Sequence, residues 1–446
     1  MNQLQPLRLV LLTSSKSSGG AAIACMRQAR CLTQAGHKVT VLAPEDWWPE
    51  GLRGKWVRAL FAFRKHFFYK YAQIFQWHKD AMFSGEPWPA TNPARMRHPA
   101  LMEADAVILH WVNHGFLGAS DLNALADLGK PILWHMHDQW AFTGGCHYSG
   151  KCTGFERNCG SCPQLQNQGP RDFSFLQFQT RRRWAIQLGQ RLALVAPSPW
   201  LAATANRSGI LLDTKVLVRC IPNPFDAVID GQQVAPRLAA SSALTRRKAV
   251  RPKIFFAAVN PSDTRKGWEL LMLALEHLGR EGMGCDVEVA GKVSRQARQM
   301  VQALQAYGHR IHWLGLLRPR AMQEAYVRAD LYVIPSLQEN FPNTILESFA
   351  AGTPVVGFAA GGIANMVVEG RNGALAPPVD DKSSSISRGM AGINLAAAMG
   401  RVLGHSRPEE LRRGALESLD VVRPDQVALA YTELICSMLN TTPPPP

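Results

Sequence analysis

One stretch of the sequence, SLQENFPNTILESFAAGTPVV at residues 336–356, limits the fold more than any other. It follows an apolar strand pattern at 331–335, passes through a short turn, and continues as a helical pattern over about 343–351. Gly352 ends the helical pattern, and another apolar strand begins. This order predicts a parallel α/β sheet with free backbone N–H groups beyond the carboxyl end of the first strand.

The polar groups of this stretch predict a ligand. Free N–H groups and the helix dipole favour a phosphate, and Glu339 and Glu347 can accept hydrogen bonds from hydroxyl groups. A diphosphate joined to a polyol, that is a nucleotide sugar, fits both properties. The alternative is an ordinary βαβ crossover in which the two glutamates lie on the surface.

The motif Glu339-x7-Glu347, followed by Gly361-Gly362, resembles the donor-binding signature of retaining glycosyltransferases with the GT-B fold. The resemblance is to glycosyltransferase family 4, the large family that includes sucrose synthase. The resemblance implies an α/β fold in which two Rossmann-like domains face each other across a cleft. It also implies that Glu347 binds the ribose of the donor and that Glu339 binds the sugar.

A second segment, NPSDTRKG, follows the predicted first strand of the same half. Its Arg265-Lys266-Gly267 matches the basic loop that grips the donor diphosphate in the family, although Ala-Val-Asn replaces the Gly-Arg pair that often opens this loop. The resemblance implies that Lys266 and Arg265 neutralise the leaving phosphate, with help from backbone N–H groups near Asn343 and Thr344. The alternative is a solvated charge pair.

Length and charge set the broader limits. A chain of 446 residues predicts two or three domains, and a net charge of +15 favours acidic partners such as nucleotides, anionic lipid or nucleic acid. No apolar run approaches the roughly 20 residues of a membrane span. Residues 7–12 are interpreted as a buried strand rather than a signal peptide. Nine cysteines without such a signal predict a cytoplasmic, reducing compartment.

The periodic segments predict two domains and a linker. An N-terminal acceptor-binding domain covers residues 1–230 and a C-terminal helix at 424–440, while a polar linker covers 231–252. The C-terminal domain at 253–423 is predicted to bind the nucleotide sugar. Both domains are predicted to be Rossmann-like.

The N-terminal half opens with a strand, the Gly-rich turn TSSKSSGG and a helix. Such a turn is a place for an anion or an incoming substrate, but it lacks the GxGxxG pattern of a nicotinamide cofactor site. Gly19 and Gly20 match paired glycines that lie beside the donor phosphate and the acceptor in the family. The alternative is that any tight strand-to-helix turn favours glycine.

Residues 51–80 interrupt this α/β pattern with basic and aromatic side chains. Apolar residues at 56, 60, 63, 67, 71 and 74 form one stripe of a helix. Basic charge beside aromatic rings suits an anionic membrane surface, so we predict peripheral binding to the inner face of the plasma membrane. The alternative is that the stripe packs on the N-terminal domain.

Two segments, HWVNHGFL and HMHDQWAFTGGCHYSGKC, follow buried strand patterns. They narrow the resemblance to bacterial glycosyltransferases that build colanic-acid-type and related exopolysaccharides. A histidine of the wider family reaches the donor sugar, and His137 matches it. Asp138 is then expected either to orient that imidazole or to bind the acceptor. The alternative for His137 is a capping or core histidine.

Four cysteines follow at a spacing that suggests a metal. The pattern is Cys146-x5-Cys152-x6-Cys159-x2-Cys162, and four thiolates would close a tetrahedral structural zinc site. The first pair is spaced more loosely than a typical zinc knuckle. Free thiols in a loop are the main alternative, and a disulfide would require an exported chain.

These features predict a retaining hexosyltransferase. It would move a sugar from a UDP- or GDP-sugar to a saccharide or polyprenyl-diphosphate-linked acceptor, with no cofactor required for catalysis. The chain contains no Asp-x-Asp triplet, so no bridging divalent cation is expected. Three alternatives remain: a sugar-nucleotide 2-epimerase, a basic nucleic-acid-binding protein, and a catalytically silent scaffold. Because no nucleic-acid-binding motif is present, nucleic acid is not the expected partner.

Overall fold

A computed structural model describes most of the chain. The described residues are 5–17, 19–47, 82–85, 96–113, 116–226, 251–292, 294–379 and 384–441, with single positions at 56, 59, 63 and 66. Most of the predicted aromatic insertion and nearly all of the predicted linker therefore lie outside the described residues.

The chain divides into two compact units. The N-terminal unit comprises residues 1–224 and 424–446, and the C-terminal unit comprises 225–423. Each unit contains one six-stranded sheet in which all neighbouring strands run parallel. This confirms the predicted fold class, an α/β protein with two Rossmann-like domains.

The sheet of the N-terminal unit has the strand order β2-β1-β3-β4-β5-β6. Its strands are β1 (Arg8–Leu12), β2 (Lys38–Leu42), β3 (Ala106–Leu109), β4 (Ile132–His135), β5 (Leu192–Ala196) and β6 (Leu217–Cys220). Along β1, Leu9 and Leu11 join one apolar cluster, whereas Val10 and Leu12 join another. Side chains alternate across a strand, so both faces of this sheet are buried and its strands read as continuous apolar runs.

Helices cover both faces of this sheet. They are α1 (Gly20–Gln34), α2 (Pro99–Glu103), α3 (Ala119–Ala126), α4 (Phe173–Leu188), α5 (Pro199–Asn206) and the C-terminal α13 (Pro424–Thr441). α1 and α13 pack together over the Leu9 face, where Leu32, Tyr431 and Ile435 are buried. The last helix of the chain therefore belongs to the core of the N-terminal unit.

The sheet of the C-terminal unit has the order β12-β11-β10-β7-β8-β9. Its strands are β7 (Lys253–Ala257), β8 (Asp286–Ala290), β9 (Arg310–Gly315), β10 (Leu331–Ile334), β11 (Val355–Phe358) and β12 (Gly373–Ala376). The strand order reverses between the neighbours β7 and β10. In open α/β sheets, ligands bind outside the carboxyl ends of the strands at such a switch point.

The helices of this unit form two further apolar layers. They are α6 (Trp268–Arg280), α7 (Arg295–Gln305), α8 (Pro319–Arg328), α9 (Asn343–Ala350), α10 (Ile363–Met366), α11 (Ser385–Leu403) and α12 (Pro408–Glu417). α6 and α11 pack on one face with Leu275, Leu395 and Met399 buried. α9 buries Ile345 and Phe349 on the other face.

The described residues bear only in part on the membrane prediction. None of the helices in the described ranges is both long and apolar enough to cross a bilayer. In the predicted aromatic insertion, positions 56, 59, 63 and 66 are helical. The side chains of Trp56 and Phe63 are 74% and 66% exposed. Binding of this segment to a membrane stays a prediction.

Candidate functional site

Two loops of the C-terminal unit meet at the switch point of its sheet. The loop after β7 ends at Gly267, and the loop after β10 begins at Pro335. The backbone N–H of Leu337 donates to the carbonyl oxygen of Arg265 at 2.8 Å. Gly267 has a left-handed φ of 69°, and a Cβ at this position would lie 1.9 Å from the carbonyl oxygen of Pro335. Only glycine therefore allows the basic loop to pack this closely on the end of β10.

Lys266 and Glu339, which lie in these two loops, form an ion pair. Lys266 Nζ lies 2.6 Å from Glu339 Oε1, and the two side chains are 31% and 14% exposed. The carbonyl oxygen of Glu339 accepts a hydrogen bond from the backbone N–H of Gly362 at 2.9 Å. Gly361 has φ 58°, and a Cβ there would lie 2.1 Å from the same oxygen. The Gly361-Gly362 turn thus holds the backbone of Glu339 in place.

Glu347 lies in α9 beside two buried tyrosines. The Tyr326 hydroxyl donates to Glu347 Oε2 at 3.5 Å, and the Tyr332 hydroxyl is hydrogen-bonded to Thr344. Burial raises the pKa of both tyrosine hydroxyls well above the usual value. They therefore stay protonated at neutral pH and can act as hydrogen-bond donors beneath the helix.

The N-terminus of α9 presents polar groups that a ligand could pair with. Pro342 precedes Asn343 and supplies no side-chain cap. Asn343 Oδ1 is buried and has no hydrogen-bond partner among the described residues. The first-turn N–H groups of a helix also lack intrahelical acceptors. A ligand with both donors and acceptors, such as a nucleotide sugar, would complement this end of the helix.

Arg265 has a local partner. Its guanidinium Nη2 lies 2.6 Å from Asp263 Oδ2, and its backbone N–H donates to Asp263 Oδ1 at 3.0 Å. Asp263 therefore shapes the turn and offsets the charge of Arg265. Lys266 pairs directly with Glu339, the carboxylate predicted to bind the sugar.

The N-terminal unit gathers three histidines at the carboxyl ends of β3 and β4. His110 Nδ1 lies 3.0 Å from His137 Nε2. His135 Nε2 lies 2.7 Å from Asn223 Oδ1, and His135 Nδ1 lies 2.5 Å from the Tyr431 hydroxyl. Sequence reasoning singled out only His137 of the three. A histidine at the end of each of two neighbouring buried strands was the signal that could have identified the others.

This histidine cluster is uncharged at neutral pH. Burial lowers the pKa of His135 to about 4, and it lowers the pKa of His110 and His137 well below the usual value. The ring nitrogens approach within 4.8 Å of one another, a spacing that a metal ion could use. Both nitrogens of His135 already have protein partners, whereas His110 Nε2 is buried and has no hydrogen-bond partner among the described residues.

Asp138 has a different partner from the one predicted. Its Oδ1 accepts from the backbone N–H of Trp140 at 2.8 Å, and its Oδ2 lies 2.7 Å from His147 Nδ1. His147 Nε2 in turn lies 2.8 Å from the Ser84 hydroxyl. Asp138 therefore fixes the loop after β4 and pairs with His147, which sequence reasoning missed, rather than orienting His137. Its contact with an acceptor stays a prediction.

The predicted glycine pair lies at the switch point of the N-terminal sheet, where β1 neighbours β3. Gly19 has φ 93° and precedes Gly20, the first residue of α1. A Cβ at Gly19 would meet no atom of the described residues within 4 Å. Glycine is thus favoured there by its backbone conformation. Acceptor binding by this pair stays a prediction.

The four predicted metal ligands come together. Cys146, Cys152, Cys159 and Cys162 all line one small cavity, and each of them is a free thiol. A disulfide between any two of them is therefore not formed in this structure. The thiols lie in the loop between β4 and α4.

The histidine cluster predicts how stability depends on pH. Because the pKa of His135 is about 6.5 when unfolded and about 4 when folded, acid favours the unfolded state. The free energy of unfolding is expected to fall as pH drops from about 6.5 towards 4, by roughly 3 kcal/mol from His135 alone. Melting temperatures at pH 7.5 and pH 5 measure this effect.

His135→Gln is expected to flatten that dependence, and the exposed His312→Gln is the matched control. A wild-type melting temperature that is equal at both pH values would contradict the prediction. An unchanged slope in His135→Gln would also contradict it.

Two Rossmann-like units, each with candidate ligand groups at its switch point, are the architecture of GT-B glycosyltransferases. Residues 18–227 match the family described as Glycosyltransferase Family 4, and residues 251–390 match the family described as Glycosyl transferases group 1. Together the two matches cover most of the chain. The chain therefore has the GT-B fold of the family 4/group 1 glycosyltransferases.

Relatives of known name are similar over parts of the chain. The chain is 23% identical over 245 residues to WcaC of Escherichia coli K12, a protein named as a colanic acid biosynthesis glycosyl transferase; this covers 50% of the chain and 51% of WcaC. It is 34% identical over 147 residues to the D-inositol 3-phosphate glycosyltransferase of Xylanimonas cellulosilytica, covering 30% and 34%. The aligned part of the chain thus spans about half or less of these relatives' length.

Solved structures show the same fold over nearly the whole chain. HepE from Anabaena, in complex with UDP and glucose, matches with a TM-score of 0.56 and 16% identity over 97% of this chain and 100% of HepE. Sucrose-phosphate synthase from Thermosynechococcus elongatus matches with a TM-score of 0.58 and 16% identity over 98% and 100%. At this identity the likeness concerns the fold.

Proposed function

We propose that the chain transfers a sugar from a nucleotide-diphosphate sugar to a saccharide acceptor. The observation that carries the proposal is the Lys266–Glu339 ion pair at the switch point of the C-terminal sheet, beside the N-terminus of α9. An ammonium, two carboxylates and free helix N–H groups complement a diphosphate joined to two polyols. The complex of HepE with UDP and glucose supports this donor class.

Each group has a role in this proposal. Glu347 accepts hydrogen bonds from the ribose, and Glu339 accepts hydrogen bonds from the transferred sugar. Backbone N–H groups near Asn343 and Thr344 bind the diphosphate. Lys266, which is neutralised by Glu339 in the absence of ligand, turns towards the leaving phosphate and stabilises the charge that develops there.

The proposed transfer retains the anomeric configuration. The leaving phosphate oxygen accepts the proton of the acceptor hydroxyl on the face where the new glycosidic bond forms. On the N-terminal unit, His137 supplies a neutral imidazole, and Gly19 and Gly20 border the acceptor. NMR of the product tests retention. We expect the transferred sugar to have the same anomeric configuration as it had in the donor. A covalent glycosyl–protein adduct trapped in a slow variant would count against this route.

The proposed acceptor is a saccharide carried on a polyprenyl diphosphate, used in exopolysaccharide or related cell-surface glycan synthesis. The similarity to WcaC, whose name refers to colanic acid biosynthesis, supports this class. The net charge of +15 and the exposed rings of Trp56 and Phe63 support peripheral binding to an anionic membrane surface. The proposed binding is on the cytoplasmic side of that membrane.

Donor binding is expected to stabilise the chain against heat. A sugar nucleotide at about 100 times its Kd adds about 2.7 kcal/mol to the free energy of unfolding, so the correct donor in a panel of UDP- and GDP-sugars should raise Tm by several degrees. Glu347→Gln is expected to remove most of that shift. Glu324→Gln, which alters a partly exposed glutamate paired with Arg320, is the matched control.

No shift with any sugar nucleotide, or an equal shift in Glu347→Gln, would contradict donor binding at this site. A donor labelled in its sugar then separates transfer from the alternative reaction. Label recovered in the lipid or saccharide fraction supports transfer. Label that stays in an isomerised sugar nucleotide would instead show a 2-epimerase.

A further inference from the structure

The loop between β4 and α4 carries a feature that sugar transfer does not use. Cys146, Cys152, Cys159 and Cys162 surround one cavity of about 10 Å³, which is room for roughly one water-sized particle. They come from three separate turns of the loop. Four thiols around a space for a single ion match the ligand set of a structural zinc site.

Hydrogen-bond donors already point at two of the four sulfur atoms. The side-chain amide of Gln164 donates to Cys146 Sγ at 3.1 Å, and the backbone N–H of Gly154 donates to Cys152 Sγ at 3.4 Å. Metal-bound thiolates are typically stabilised by such donors.

A buried cation stands beside the same sulfur atoms. The Arg181 guanidinium is 4% exposed, lies 3.8 Å from the centre of the Trp140 ring, and donates to the carbonyl oxygen of Thr143. It interacts electrostatically with Cys159, Cys146 and the Asp138 carboxylate. Its Nη2 is buried and has no hydrogen-bond partner among the described residues. A buried positive charge needs a counter-charge. A zinc tetrathiolate, which carries a net charge of −2, would add to the one that Asp138 supplies.

The loop buries Phe142 and Phe155 in the main core of the N-terminal unit. The part around the cysteines has a small cluster of its own, Phe83, Cys146, Cys162 and Leu165, so half of that cluster is cysteine. In the Cys159–Cys162 turn, three successive residues have positive φ, including Cys159 at 54° and Ser161 at 47°. Left-handed residues other than glycine cost roughly 1–2 kcal/mol each. A crosslink that ties the loop together would offset this cost.

We propose that these four cysteines bind one structural Zn²⁺ ion. Binding forms four Zn–S bonds and releases four thiol protons to solvent, with no change of oxidation state. Within the described parts of the chain, the histidine cluster is the group that already has three ligand atoms within 4.8 Å. The four cysteines do not form such a group among the described residues, so zinc binding would have to bring their sulfur atoms to tetrahedral distances.

The ion would fix the part of the loop that carries the Asp138–His147 pair. The Thr143 hydroxyl donates to the carbonyl oxygen of Cys146 at 2.8 Å, and the backbone N–H of Gln139 donates to the carbonyl oxygen of His147 at 3.0 Å. These bonds connect the metal ligands to the residues that directly follow β4. Zinc thus acts as a support for the loop after His137 and takes no part in the transfer step.

Metal analysis of the full chain tests the proposal. Protein purified under reducing conditions after expression with added zinc is expected to contain about one zinc per chain by mass spectrometry. Exchange with Co²⁺ is expected to give the intense visible absorption of a tetrahedral thiolate complex. Cys152→Ser and Cys162→Ser should lose both signals. Cys220→Ser, which alters an exposed cysteine outside the loop, should keep them.

The cobalt spectrum of the wild-type chain keeps the test valid if the serine variants fail to fold. Removal of the metal by a chelator is expected to lower Tm, and added zinc should restore it. Wild-type protein with far less than one zinc per chain and no thiolate–cobalt absorption would overturn the proposal. Recovery of the four cysteines as disulfides under the same conditions would also overturn it.

Discussion

Replacing Lys266 with alanine is expected to lower kcat for sugar transfer by about 10²–10³-fold. The ammonium lies 2.6 Å from Glu339 at the end of the loop that packs on β10, so it is within reach of a diphosphate at the α9 N-terminus. Its loss removes the positive charge that stabilises the leaving phosphate, and it leaves the Glu339 carboxylate unpaired beside an anionic donor. Steady-state rates with the donor found by thermal shift measure the effect.

Lys253→Ala is the matched control, since Lys253 is exposed at the opposite, amino-terminal end of β7. We expect this variant to keep its rate, because it removes an equal charge far from the switch point. A Lys266→Ala enzyme with wild-type kcat would rule out the proposed role. If both lysine variants lost activity equally, the effect would come from net charge rather than from this position.

The apolar patterns predicted the local elements closely. The strand expected at 331–335 runs from Leu331 to Ile334, and the helix expected at about 343–351 runs from Asn343 to Ala350. Both elements are buried, and burial imposes a strict hydrophobic period on a sequence. The helix ends where expected because Gly352, which follows the C-cap residue Ala351, adopts a left-handed φ of 67°.

Contacts between distant residues could not be predicted in the same way. His135 meets Tyr431, which is 296 positions away on the last helix. Asp138 faces His147 because the loop after β4 folds back, and nothing in the local pattern indicates that return. Such pairs depend on strand order and on loop paths, which a single sequence does not determine. The prediction that Lys266 and Glu339 share one site came from the family resemblance and not from the local pattern.

The two units differ in the charge of their candidate sites. Burial keeps the cluster of His110, His135 and His137 neutral, since the pKa of His135 falls to about 4 and the pKa values of the other two fall well below the usual value. The C-terminal unit instead presents an ammonium and a carboxylate at 2.6 Å. A neutral, hydrogen-bonding surface suits a saccharide hydroxyl, whereas a charged one suits a diphosphate. This difference supports the assignment of acceptor to the first unit and donor to the second.

Gly361→Ala is expected to lower kcat/KM by about 10²-fold or more, because it displaces Glu339. A methyl group at this position would lie 2.1 Å from the carbonyl oxygen of Glu339, so the backbone that presents the carboxylate must move. A misplacement of about 1 Å at a reacting site can cost this much in rate. Donor affinity from the thermal shift should fall together with the rate.

Gly370→Ala is the control that distinguishes displacement of Glu339 from backbone strain alone. Gly370 has φ 71°, close to the 58° of Gly361, but a Cβ there would meet no atom within 4 Å in the part of the chain that the structure describes. Both variants should therefore lose roughly 1–2 kcal/mol of stability from the left-handed conformation, whereas only Gly361→Ala should lose donor binding. Equal activity in the two variants would show that the Gly361-Gly362 turn does not position Glu339, and the donor would then have to be held by other groups of the loop.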